Sequence, residues 1–311
     1  MNNSESRRKV LVTGISGGLG RLLSRRLHRM AEVHGVDMRP FPGCPKDVSV
    51  HHLDPRKKRC EDLFRHHGFD AVVHLGVEQD LRHGKDRYNA NVVGTLRILE
   101  YCQRYRVPKV VVLSTSLIYG PHPNNSAFLS EDAPLLAAQR FPAVADLVEL
   151  DMQAQSFFWK HAEIETVILR PVHILGRNAS GTLGRWLSQP RVVTLMGFDP
   201  MVQIVHEDDV VDALLLAMES GARGIFNITG PSATPLSTLI RELGLSTFPL
   251  PHPLASAMLK KLWDWRLSDL PVPVLDHARF VCTVDGSRAT RLLGFKPHHS
   301  LRETLRSLRG E

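Results

Sequence analysis

Cysteine is scarce. Four occur in 311 residues, Cys44, Cys60, Cys102 and Cys282, with no CxxC spacing and no evident pairing. That excludes a disulfide-stapled fold, and a reducing, cytoplasmic setting is the simplest reading. Long apolar runs are also missing. The longest, such as Val110-Val111-Val112-Leu113, fall far below the ~20 residues that cross a bilayer, so no membrane association is expected. Basic Arg7, Arg8 and Lys9 precede Val10-Leu11-Val12, but Thr13-Gly14 ends that run too early for a secretory signal. Aromatic residues make up 6%, and the four tyrosines stop at Tyr119. There is no internal repeat and no low-complexity tract.

What is present describes a folded chain. Hydrophobic residues at 43% and charged residues at 23% suit a globular protein of about two domains. The net charge is +7 and the pI about 9.4. Arg21, Arg25, Arg26 and Arg29 lie opposite Leu19, Leu23, Leu27 and Met30, which makes an amphipathic helix with a solvated basic face. Arg56-Lys57-Lys58-Arg59 reads as a surface loop, so nucleic acid is not an expected partner.

The first half alternates short β-rich runs with longer helical patterns, the signature of a parallel sheet with crossover helices. Strands are expected at Val10–Thr13, Val33–Val36, Val48–Leu53, Ala71–Leu75, Val110–Ser114 and Thr166–Leu169, with helices over 19–30, 86–105 and 144–161. After Arg170, proline and glycine become denser, as where a chain leaves a sheet to build a smaller second unit. Further on, Asp208 or Asp209 is the expected cap of a helix over Val210–Glu219, followed by a strand over Gly224–Ile228.

The most informative stretch is Thr13-Gly14-Ile15-Ser16-Gly17-Gly18-Leu19-Gly20, directly after a strand and opening a helix. Gly14 permits the tight turn, Gly17 lets backbone approach a pyrophosphate, and Gly20 lets helix pack on strand. Free N–H groups at the helix start then face the phosphates. Asp37 ends the second strand seventeen residues past Gly20, where a carboxylate hydrogen-bonds ribose hydroxyls and repels a 2′-phosphate. NAD is therefore expected over NADP, with Arg39 close enough to weaken the preference.

With this TGxxGxxG spacing the chain resembles the extended short-chain dehydrogenase/reductases, in the NAD-dependent epimerase/dehydratase group. Leu53-Asp54, His74-Leu75-Gly76-Val77, Asn91-Val92-Val93-Gly94-Thr95-Leu96 and Ser114-Thr115-Ser116-Leu117-Ile118-Tyr119-Gly120 are similar to successive motifs of that family. So are Leu169-Arg170-Pro171, Val205-His206-Glu207-Asp208-Asp209, Phe226-Asn227-Ile228-Thr229-Gly230 and Leu293-Gly294-Phe295-Lys296-Pro297. The resemblance implies an α/β fold: a Rossmann-type doubly wound parallel sheet, with a smaller discontinuous C-terminal α/β substrate domain. The nucleotide-binding domain would take 1–170 and about 203–230, the substrate domain about 171–202 and 231–311. It implies cofactor contacts along Gly14, Ser16, Gly17, Gly18, Leu19 and Gly20, then Asp37, Met38, Arg39, Asp54, Leu75, Gly76, Val77, Asn91 and Pro171. Relatives often dimerise through the helices corresponding to 86–105 and 144–161, so a homodimer is a possible assembly.

The family's catalytic signature does not carry over. It implies a Ser/Thr with a YxxxK helix, the tyrosine as acid/base and the lysine lowering its pKa. Thr115 occupies the hydroxyl position, but the helix reads Phe141-Pro142-Ala143-Val144-Ala145-Asp146-Leu147-Val148-Glu149. Counting back from Leu169-Arg170-Pro171 places Ala145 at the tyrosine site and Glu149 at the lysine site. Beside an oxidised nicotinamide, Glu149 would favour NAD over NADH. Candidate chemistry then rests on Thr115, Glu149 and His173, whose type suits general acid/base work.

Substrate signals depart as well. The Arg-Asp that in nucleotide-sugar enzymes precedes the strand ending in His is replaced by Val202-Gln203, and Pro271-Val272-Pro273-Val274 stands in place of a later Arg-Pro-Gly-Asp. A desolvated diphosphate needs charged partners, and Arg185, Arg191 or Arg279 are candidates to replace them, though no motif marks them. Trp263, Trp265 and Phe280 are expected in core packing. His51-His52, His66-His67 and His298-His299 lack metal-site spacing, because adjacent side chains diverge, and no metal is expected. Two classes of function remain: an oxidoreductase or epimerase with a non-standard site acting on an unidentified small molecule, or a nucleotide-binding module that senses or interacts.

Overall fold

A computed structural model describes residues 7–77, 84–178, 181–266 and 272–310. Its strands are β1 (Lys9–Thr13), β2 (Glu32–Asp37), β3 (Ser49–His52), β4 (Ala71–His74), β5 (Lys109–Leu113), β6 (Glu165–Pro171), β7 (His173–Leu175), β8 (Arg191–Leu195), β9 (Met201–His206), β10 (Gly224–Ile228), β11 (Ala233–Pro235) and β12 (Ser246–Leu250). Seven form one sheet in the order β10-β6-β5-β4-β1-β2-β3, with every pairing parallel. The order reverses beside β1, so the crevice for a ligand opens at the carboxyl ends of β1 and β4.

Strand periodicity divides the core into two faces. Val10 and Val12 pack on one side with Leu23 and Leu27 of the Gly18–Leu27 helix and with Val210 and Leu214 of the Glu207–Ala217 helix. Leu11, Val72, Val110 and Val112 pack on the other with Phe64, Ile98, Leu150 and Phe157. Consecutive strand residues point to opposite faces, and helices cover both, which is why these strands read as unbroken apolar runs.

The remaining strands build the smaller region: a three-stranded β11-β9-β7 sheet and a β12-β8 pair. β9 belongs to this small sheet, and the Glu207–Ala217 helix returns the chain to the large one. The expected helix over 86–105 is broken into Gly84–Tyr88, a π-helical turn Asn89–Val93, and Gly94–Arg104.

The cap of the Glu207–Ala217 helix also differs from expectation. His206 is the cap, its Nδ1 accepting from the Asp208 N–H at 3.1 Å. A neutral imidazole nitrogen, like a carboxylate oxygen, has a lone pair that can accept this bond. Asp209 is buried and instead accepts from the backbone N–H groups of His298 and His299.

Candidate functional site

The Gly14–Gly20 turn crosses the carboxyl end of β1. Gly14 has φ +72°, and a Cβ there would lie 2.8 Å from the backbone of Leu75 and Gly76. At Gly20 a Cβ would lie 2.4 Å from the Gly14 carbonyl, so helix and turn meet at a distance only glycine allows. His74 pins the neighbouring strand end, with Thr13 Oγ1 at 2.6 Å from Nδ1 and Thr95 Oγ1 at 2.9 Å from Nε2. Its complete burial lowers the imidazole to about 4.

A cavity of about 910 Å³ runs from this turn into the small region. Its nucleotide-side wall includes Gly14, Ser16, Gly17, Gly18, Leu19, Gly20, Arg39, Leu75, Val77 and Pro171. Thr115 and His173 line it as well. Asp37, Met38, Asp54, Gly76, Asn91 and Glu149 are not in the wall. Asp37 is buried at the rim, where its carboxylate accepts from the Ser16 N–H (3.0 Å) and the Arg39 N–H (2.9 Å). The Arg39 guanidinium lies beside it at 3.2 Å. Met38 is exposed, and Asp54 is paired with Arg56 at 2.7 Å, which holds its carboxyl below the usual range. Asn91 is fully buried and donates to Asp146 Oδ2 at 2.6 Å.

The expected role of Glu149 is corrected. The residues of the catalytic stretch that face the cavity are Phe141, Val144 and Leu147. Two residues along a helix is a rotation of about 200°, so a side chain at 149 points away from one at 147. Glu149 Oε1 instead accepts from the Tyr88 hydroxyl at 3.1 Å on the outer surface. Glu149→Gln should therefore leave the ratio of NAD to NADH affinities unchanged; calorimetry with both nucleotides checks this, and a shift would place the carboxylate beside the nicotinamide after all.

Thr115 caps the short turn Ser116–Ile118, its Oγ1 accepting from the Leu117 N–H at 3.3 Å. His173 and His277 both line the cavity and lie close enough to interact electrostatically. Burial pushes His173 down to about 4; burial and the neighbouring His173 push His277 to about 3. Both are neutral imidazoles at neutral pH, so His173 has no imidazolium proton to give as a general acid.

Two features were given no role by the sequence, although the second, Glu207, lies within the Val205–Asp209 motif. Arg87 is buried in the cavity wall, its Nη2 donating to the Ala143 carbonyl and to Asp146 Oδ1 (2.9 Å). Its Nε and Nη1 meet no acceptor among the described residues. The one hint was Asp146, a carboxylate at the start of an apolar helix. Glu207 is buried and holds Asn178 by the backbone N–H (3.0 Å) and by Nδ2 (2.9 Å). That seats the Asn178 carbonyl against Gly18, where a Cβ would lie 2.5 Å away.

The rest of the cavity wall is largely apolar, with Leu117, Leu183, Trp186, Val193, Leu236, Met258, Leu259, Leu262 and Leu275 beside the polar Thr182 and Gln189. Arg185, Arg191 and Arg279 do not line it. Gln203 is turned to the backbone of Val284, donating at 3.0 Å and accepting at 2.7 Å. Among the described residues, no tyrosine or lysine lines the cavity. Pro271 lies outside the described residues. Trp265, expected in the core, is 67% exposed, because it follows the last turn of a surface helix.

Together, the reversed parallel sheet and the glycine turn at its switch point define a Rossmann-type nucleotide-binding protein. The chain belongs to the NAD dependent epimerase/dehydratase family, whose sequence model matches residues 10–229. It is 30% identical over 258 residues to the uncharacterized protein Rv0501 of Mycobacterium tuberculosis, covering 78% of this chain and 67% of that one. It is 28% identical over 238 residues to short-chain dehydrogenase/reductase family 42E member 1 of Xenopus laevis, covering 70% and 60%. Among solved structures, UDP-glucuronic acid 4-epimerase from Bacillus cereus, in complex with UDP-glucuronic acid and NAD, superposes with a TM-score of 0.76 at 20% identity, covering 97% and 98%. UDP-glucose 4-epimerase from Thermotoga maritima, with UDP-glucose, gives 0.74 at 22%, covering 97% of each chain.

Proposed function

We propose that the protein binds NAD along the Gly14–Gly20 turn and holds a largely apolar, uncharged small molecule beside it. The observation that carries this reading is the continuous cavity, with a glycine turn at one end and aliphatic side chains at the other. The residues fit the cofactor: a Cβ on Gly17 would meet the Gly14 carbonyl at 3.2 Å and otherwise only Arg39 at 3.7 Å, leaving room for a pyrophosphate. NAD supplies a hydride acceptor there. Among the described residues, the distal wall offers no arginine or lysine to a second diphosphate, which argues against a nucleotide sugar. Arg87, ion-paired with Asp146 at the start of the Ala145–Lys160 helix, adds two N–H groups without an acceptor among the described residues, which a ligand oxygen would reach after a small adjustment of the wall.

Chemistry of the oxidoreductase type then falls to Thr115, which can hydrogen-bond a carbonyl or hydroxyl of the ligand, with Arg87 stabilising developing negative charge. A second reading, a binding module without turnover, is favoured by one observation: among the described residues, neither a tyrosine nor a lysine lines the cavity. Incubating the protein with NAD or NADH and a panel of apolar alcohols and ketones separates the two. A change in nicotinamide absorbance supports the enzyme; ligand binding without it supports the module.

Nucleotide placement has its own test. Gly17→Val puts branched carbons where the pyrophosphate would lie, and NAD affinity should fall about 100-fold or more while the fold persists. NAD should bind the wild type more tightly than NADP because of Asp37. Unchanged NAD affinity in a folded Gly17→Val protein rejects the placement, and tighter NADP binding rejects the cofactor preference.

A further inference from the structure

Histidines that diverge from their sequence neighbours converge in space. His34 on β2, His51 on β3 and His67 at the end of the Lys58–His67 helix each present a ring nitrogen, and the three atoms lie within 4.8 Å of one another. We propose that His34, His51 and His67 form a binding site for a divalent transition-metal ion of the zinc type, with water completing the coordination.

Four observations carry this. His34 Nδ1 and His51 Nε2 are 3.3 Å apart. Two imidazole nitrogens bound tetrahedrally at ~2.0–2.1 Å from zinc would be about 3.3 Å apart, so this edge is already set. The other nitrogen of His34 lies 2.9 Å from Glu32 Oε1. That carboxylate fixes the tautomer, leaving Nδ1 its lone pair, the outer-shell arrangement common to metal-binding histidines. Phe69 packs against His34 and His67, with ring centres 5.4 and 5.8 Å away, and so holds two of the three rings in place. His34 is buried, while His51 and His67 are half-buried and leave the site open to an ion from solvent.

Parallel pairing explains why spacing concealed the site. His34 pairs with Ser49, two residues before His51, and alternation returns 49 and 51 to one face. Imidazole nitrogens, with no thiolate or carboxylate among the three, suit zinc, nickel or copper better than magnesium or calcium. The second histidine group, His206 with Asp208 and His299, is occupied by its own bonds. His206 Nδ1 accepts from Asp208, its Nε2 meets Ser307, and His299 Nδ1 meets Asp209.

The bound ion would join β2, edge strand β3 and a helix end, so it should act as a staple as well as a ligand. The experiment is calorimetry of the 311-residue, tag-free protein with zinc chloride at pH 7.5. Expected are one ion per chain, about a 100-fold loss of affinity in the His51→Gln/His67→Gln double variant, and about a 10-fold loss in Glu32→Gln. Zinc should raise the melting temperature of the wild type and not that of the double variant. His299→Gln should bind zinc as the wild type does. Circular dichroism confirms folding, and the visible spectrum of bound Co²⁺ gives an independent readout of imidazole coordination. Failure to take up zinc, uptake that survives the double substitution, or uptake lost with His299→Gln would each overturn the proposal.

Discussion

Replacing Asp151 with alanine should destabilise the protein by about 3–5 kcal/mol, because it strands a buried guanidinium. Arg170 is fully buried, with Nη2 at 2.7 Å and Nε at 2.9 Å from the two Asp151 oxygens. The same arginine donates through Nη1 to the Tyr119 hydroxyl (2.7 Å) and the Glu131 carbonyl (2.9 Å). Ser114 donates to Asp151 at 2.6 Å, and Tyr119 to Asn227 at 2.8 Å. Four segments beneath the cavity are thus tied to one ion pair. Urea unfolding followed by circular dichroism measures the effect, and a loss below about 1 kcal/mol would show that water or a neighbouring carboxylate takes over. An Asp151→Leu/Arg170→Met double variant should recover only part of the loss, because Ser114, Tyr119 and Glu131 also lose partners.

Acid should weaken the fold well above the range where carboxylates protonate. His74 and His173 are held near 4, and His277 near 3, by burial. Their unfolded value is about 6.5, so the unfolded chain takes up these protons first. Stability is therefore complete above about pH 6.5 and lost as pH falls toward the folded values. Three protons correspond to about 4 kcal/mol per pH unit at most, and roughly 2 if the structure relaxes around the charges. Urea midpoints at pH 7.5, 6.0 and 5.0 test this, and His277→Gln should flatten the decline by about a third. A midpoint unmoved between pH 7.5 and 5.0 would mean that the cavity admits enough water to keep His173 and His277 near their ordinary values.

The large sheet was legible because each buried strand writes an apolar run and the glycine turn has one steric solution. β10 was expected at the residues it occupies. The catalytic face was not legible in the same way. A strand pattern tolerates an error of one residue at its ends, whereas on a helix two residues exchange inside for outside, and that separated Glu149 from Leu147. Arg87 and Asp146 meet across 59 positions, and no motif links them. The histidine cluster needed the register of β2 against β3, which the spacing within each pair does not contain. Trp265 fails for a simpler reason: its size favours burial, but it follows the last turn of an exposed helix.

The contact between Asn178 and Gly18 gives the phosphate turn a second constraint. The TGxxGxxG spacing leaves position 18 open to any residue, since a side chain there need not meet the nucleotide. In this protein the Asn178 carbonyl, from the segment after β7, fills that place, anchored by Glu207 at the head of a helix on the large sheet. Gly18 is therefore a packing surface as well as part of the turn, and its freedom to vary is set by a segment about 160 residues away. Substitutions in the 176–178 segment and at position 18 are bound to one another, although no reading of the turn by itself would join them.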